Sequence, residues 1–183
     1  MVPLSQFLAV LVACFLLVHT SPLQADTAYA QLSSMLDQIP TSAAGTPVIM
    51  EIVHELKNVE LNAKKDGVIA KEAGYYFILA SAQIGSLRQN ALGVLDLWFV
   101  INGEMIVNSN AQESLGKIKW TGLIISQQMV YLNAGDTLSL YFSTSKPKLG
   151  LVHLCPENEP AIPSFLFSMF KIKSKSTSEK EMK

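Results

Sequence analysis

Past the apolar N-terminus, the residues with most scope for chemistry are His54, His153, Cys155 and the carboxylates Asp96, Glu157 and Glu159. An open metal site needs closely spaced histidines with a carboxylate, and these two histidines lie about a hundred positions apart. Each sits in an alternating apolar segment, the pattern of an ordinary core or interface histidine. Glu157 and Glu159 share a Pro-rich loop without a supporting acidic cluster, which reads as a solvated loop rather than a cation site. There is no G-x-S-x-G elbow, no Gly-rich phosphate loop and no H-E-x-x-H pair. Asp96 lies inside VLDLWFVI, with Trp98 on the same strand face. A carboxylate there faces solvent or is hydrogen-bonded. The pair is either the outward side of a half-buried strand or a ligand surface, where an aromatic ring beside a carboxylate would hold a sugar or a cationic group. The sequence therefore predicts no catalytic residue, no metal and no cofactor.

The elements that must position these residues are strands. VIMEIVHEL at 48–56 places Val48, Met50, Ile52, His54 and Leu56 on one predicted face. GYYFILASAQI at 74–84 is rich in aromatic and strand-favouring residues. VLDLWFVI at 94–101 runs into Asn102-Gly103 and out through EMIV, the strongest short hairpin signal, since both turn residues need positive φ. TGLIISQQMVYL at 121–132, Asn133 to Asp136 and TLSLYF at 137–142 predict a second hairpin with a longer loop. LGLVHLC at 149–155 and SFLFSMFKI at 164–172 complete about eight to ten strands. Only Leu32, Met35, Leu36 and Ile39 recur at helical spacing, which predicts one short helix ending at Pro40 and a linker, together residues 31–45. The pattern predicts an all-β single domain, an antiparallel sandwich or jelly roll, preceded by a signal peptide and that helix.

The chain has 183 residues, 49% hydrophobic and 16% charged, with a net charge of −1 and a mean hydropathy of +0.28. That balance excludes a disordered chain and a basic nucleic-acid binder. Phe7 to Val18 is an unbroken apolar run of twelve residues, too short for the ~20 of a membrane span and right for a secretory h-region. A signal peptide over residues 1–30 is expected, cleaved after Ala30 in the A-x-A match Ala28-Tyr29-Ala30, or after Ala25. An uncleaved hydrophobic anchor is the alternative, because no Lys or Arg precedes Lys57. Cleavage removes Cys14 and leaves Cys155 as the one thiol, read as a small apolar residue; with no partner for a disulfide, the core must hold the fold. KIKSKSTSEKEMK at the C-terminus predicts a solvated, disordered Lys-rich tail over residues 173–183.

Three segments, GVIAKEAGYYF at 67–77, MVYLNAGDTLSLYF at 129–142 and FSMFKI at 167–172, resemble in order and spacing the globular heads of complement component 1q and, more distantly, the tumour necrosis factor ligands. Met169 stands where that family closes on a glycine, and the ten glycines cannot supply a Gly-X-Y stalk. The resemblance frames residues 46–172 and implies a two-sheet antiparallel jelly-roll head that assembles as a homotrimer through one apolar sheet face. The matching interface positions are Phe77 and Leu79, on the face that also holds Tyr75, and Phe167 near the C-terminus. The functional expectation is a secreted, extracellular, non-enzymatic recognition module that binds a protein or glycan partner through surface loops, with Asp96 and Trp98 as a candidate ligand surface. It excludes nucleic acid and stable membrane insertion after signal removal. The alternatives are a structural coat, fibre or capsid subunit on the same fold, and a metal-dependent jelly-roll enzyme.

Overall fold

The computed structural model describes residues 28–42, 44–86, 93–116 and 121–173. Residues 1–27 of the expected leader and 174–183 of the expected tail lie outside them. The regular structure is entirely β: β1 (Tyr29–Ser34), β2 (Thr46–Pro47), β3 (Ile52–Lys57), β4 (Val59–Leu61), β5 (Val68–Ala70), β6 (Gly74–Ser86), β7 (Gly93–Ile101), β8 (Glu104–Met105), β9 (Ala111–Leu115), β10 (Thr121–Leu132), β11 (Thr137–Thr144), β12 (Leu149–Leu151) and β13 (Phe165–Lys173). They form two antiparallel sheets packed face to face as a sandwich. The six-stranded sheet runs β10-β6-β13-β1-β3, with β12 also on β6; the seven-stranded sheet runs β4-β5-β11-β7-β8, with β2 on β11 and β9 on β7.

Alternation decides what lies between the sheets. From β6, Tyr76, Ile78, Ala80, Ala82 and Ile84 point inward; from β13, Phe165, Phe167 and Met169 do the same. They meet Leu95, Leu97 and Phe99 of β7 and Leu138, Leu140 and Phe142 of β11, all fully buried. Each such side chain contributes about 1.5–3 kcal/mol by leaving water, which is how the sandwich stands without a disulfide. Cys155 is a free, exposed thiol rather than the buried one its apolar neighbours suggest. It follows Leu154, whose backbone pairs with Ile162 across the Pro-rich loop, and that pairing turns the thiol outward.

The helix expected over 31–39 does not form. Tyr29–Ser34 instead fills the slot between β13 and β3, hydrogen-bonded on both sides. A two-sided ladder satisfies every backbone group, whereas an isolated three-turn helix is marginal in water. The helical spacing of Leu36 and Ile39 buries neither of them. VIMEIVHEL also divides between layers: the Val48 amide donates to the Leu140 carbonyl of the seven-stranded sheet, while Ile52–Lys57 pairs with β1 in the other. As a result Val48 and Met50 are core residues and His54 is exposed.

The Asn102-Gly103 turn matches its expectation, with φ of 52° and 87° and the pairs Ile101–Glu104 and Val100–Met105. The second expected hairpin is a crossover. β10 pairs with β6, and β11 pairs with β7, so Asn133–Asp136 carries the chain from one sheet to the other. Asp136 anchors this corner, accepting from the Asn102 side chain at 2.8 Å and the Asn133 amide at 2.7 Å. Those hydrogen bonds, first the one from Asn102, hold its carboxyl below the usual carboxylate range.

Candidate functional site

The outer face of the six-stranded sheet is the most unusual surface. β1, β6 and β10 contain no charged residue, and in β13 lysines occur only at the end, at Lys171 and Lys173. Cross-strand register aligns Met129, Phe77, Phe170 and Tyr29 in one row and Ile125, Ser81, Leu166 and Ser33 in another. Phe77 and Phe170 pack with their rings tilted by 39° and 5.3 Å between centroids, and Tyr75 meets Tyr131 edge-on at 5.2 Å. Leu123, Ile125, Met129 and Phe170 are each at least half exposed, and Tyr75, Leu79 and Leu166 are around two-fifths exposed. Each half-exposed large side chain leaves on the order of 100 Å² in water. The sum exceeds the few hundred Å² typical of the largest patch on a monomer and approaches the ~800 Å² per partner of a stable interface.

Of the four residues expected on this face, Tyr75, Phe77 and Leu79 point outward from β6. Phe167 does not. Its neighbours Leu166 and Ser168 hold the outward parity, and Phe167 is fully buried between the sheets opposite Leu32 and Ala80. The outward phenylalanine of β13 is Phe170.

On the opposite side of the sandwich, Asp96 and Trp98 both face outward from β7 and line one pocket of about 430 Å³ with Ala44, Met105, Ile106, Asn108, Asn110 and Ser143. Register sets Ser143 of β11 on one side of Asp96 and Gln112 of β9 on the other. Asp96 Oδ1 accepts from Asn110 Nδ2 at 3.0 Å and Gln112 Nε2 at 2.9 Å. Trp98 lies 6.3 Å from Tyr141, ring to ring. Its indole nitrogen is buried without an acceptor. Gly45, at φ +105°, rests on the ring edge so closely that a Cβ there would stand 2.5 Å from Trp98 Cζ2.

The histidines do not converge. His54 Nε2 lies 2.8 Å from Ser33 Oγ in β1, and His153 Nδ1 lies 2.9 Å from Asp37 Oδ1 in the segment just after β1, so each has its own partner. Among the described residues, no three His, Cys, Asp or Glu side chains gather as a metal site would require. Tyr76 is the one strongly perturbed acid described: burial, then the nearby Glu72 charge, push its phenol up to about 12, while its hydroxyl donates to the Glu72 carbonyl at 2.8 Å. It lies inside the core, bolted beside the Lys171–Glu72 ion pair, which makes it a structural group.

No protein-family model and no curated protein sequence matches the chain. The surface itself must therefore carry the functional argument. The residues that sequence reasoning missed on it are Leu123, Ile125, Met129, Leu166 and Phe170. A signal was present: TGLIISQQMVYL and FLFSMF are apolar at both parities, whereas an antiparallel strand with one wet face alternates.

Proposed function

We propose that the chain is a secreted, non-enzymatic recognition module that works as a homotrimer, of the same kind as the complement component 1q globular heads and tumour necrosis factor ligands it resembles. The carrying observation is the outer face of the six-stranded sheet, large, apolar and aromatic at one end, where β1, β6 and β10 carry no charged residue and Lys171 of β13 is nearly buried in its pair with Glu72. Depletion of charge with retention of aromatics marks the core of a homo-oligomer interface. Continuous exposure of such a face would favour aggregation. The face supplies the reason to associate; the resemblance supplies the number three. Assembly through it leaves the seven-stranded sheet and its loops outward, free to meet a partner.

β1 bears on where an N-terminal leader would be cut. Ala28 and Ala30 are buried, and the Ala28 carbonyl accepts from the Lys171 amide at 2.8 Å. A cut after Ala30 would remove the start of a strand paired on both sides, so the packing favours the cut after Ala25. Light scattering on the mature chain tests the assembly: a mass of three protomers supports it, and a stable monomer at micromolar concentration refutes it.

A further inference from the structure

We propose that the Asp96–Trp98 pocket binds a neutral sugar ring, one hexopyranose unit of a glycan. This deepens the recognition reading above and rests on it for biological meaning, but its geometry is independent of the sheet face that would assemble.

The chemistry of the pocket selects among ligand classes. An anion would meet the Asp96 carboxylate, and none of the described residues that line the pocket is cationic. A wholly apolar ligand would strip water from that carboxylate with nothing in return. A cation would find the carboxylate, but also two carboxamide groups already aimed at the same oxygen, Oδ1. Both printed amide donors go to Oδ1; Asn110 and Ser143 line the pocket with Asp96, and an amide NH2 and a hydroxyl each have donor capacity beyond a single bond while a carboxylate has two accepting oxygens. Acceptor and neutral donors side by side match vicinal hydroxyls, each of which donates once and accepts as well. The Trp98 ring with Met105 and Ile106 supplies an apolar wall for the C–H face of a ring. The volume, about 430 Å³, falls within the ~300–1,000 Å³ of small-ligand sites.

Two features hold the site open and in shape. Asp96 is fixed by its two amide donors before any ligand arrives, so little ordering is lost on binding. Gly45 lets the 44–46 segment lie flat against Trp98, where any side chain would collide with the ring.

The test is saturation-transfer NMR on the full mature chain with a panel of neutral methyl hexopyranosides and, in a separate arm, choline. The expected result is transfer to at least one hexoside, concentrated on the ring C–H protons of one face, with none to choline. Asp96→Ala should weaken that binding by about tenfold or more, the cost of losing charge-assisted hydrogen bonds, and Trp98→Leu should do likewise. Circular dichroism and scattering mass for both variants should match the parent, since neither residue lies in the core or on the six-stranded sheet. Transfer to choline alone, to no probe, or to a hexoside with unchanged strength in Asp96→Ala would overturn the proposal. A chain that binds the hexoside but proves monomeric would keep the pocket and sink the assembly; a trimer that ignores every hexoside would do the reverse.

Discussion

Phe170→Asp is the sharpest perturbation of the apolar face. Phe170 is half exposed and packs against Phe77 with the rings tilted. The exposed half is about 100 Å², so covering it in an assembly is worth about 2.5 kcal/mol per protomer at about 25 cal/mol per Å². Three such contributions in a trimer come to about 7.5 kcal/mol, a factor of about 10⁵ in the overall dissociation constant. An aspartate adds the cost of desolvating a charge, since the adjacent Lys171 is nearly buried and already paired with Glu72. The isolated fold should tolerate the change, because Phe170 points away from the core and an aspartate at an exposed strand position loses the ring contact with Phe77 and little else. The assay is sedimentation velocity across a concentration series, with circular dichroism to confirm native β structure. A folded, monomeric Phe170→Asp beside a trimeric parent is the expected outcome. If the variant keeps the parent's mass, the face is not the interface and the reasoning fails. Phe167→Asp provides the contrast: with that side chain fully buried, it should unfold the protein rather than dissociate it.

Three further outcomes follow from particular contacts. The Tyr76 phenol is raised from 10.0 to about 12 in the folded protein, so its contribution to stability is complete below pH 10 and is lost as pH rises toward 12. Two pH units set an upper limit of about 3 kcal/mol; urea titrations should show that slope in the parent and its loss in Tyr76→Phe, and equal slopes would contradict the assignment. Gly150→Ala would place a Cβ 2.1 Å from the Gln38 carbonyl oxygen, across the two-way bridge between Gln38 and Leu151. It should cost about 2 kcal/mol or more in thermal or chemical melts, and an unshifted transition would show that the bridge gives way freely. Edman or mass-spectrometric analysis of the exported protein should find Asp26 at its N-terminus; Gln31 there would contradict the role given to Ala28 and Tyr29 in β1.

The two-sheet fold was readable because periodicity of two runs through nearly every segment after residue 46, and Asn102-Gly103 announces its turn chemically. Strand partners were less so. MVYLNAGDTLSLYF reads as a hairpin, since nothing local distinguishes a turn that reverses within a sheet from one that crosses between sheets. The same limit applies to parity. In FLFSMF both Phe165–Phe167–Met169 and Leu166–Phe170 are apolar sets, and only the register against β6 tells which enters the core. QLSSMLDQI carries a genuine helical spacing, overridden by the open edges of β13 and β3 on either side. Asp96 and Trp98 were visible as a pair two residues apart on one strand. Their companions Asn108, Asn110 and Ser143 come from a loop and a neighbouring strand that no spacing rule connects to them.

The central claim is that the outer face of the six-stranded sheet holds three copies of this chain together. Multi-angle light scattering on the chain from Asp26 to Lys183, measured through the micromolar range, addresses it without any variant. A single species of three protomer masses, unchanged on dilution within that range, is the predicted result. A monomer throughout, with Leu123, Ile125, Met129 and Phe170 left in water, would contradict it.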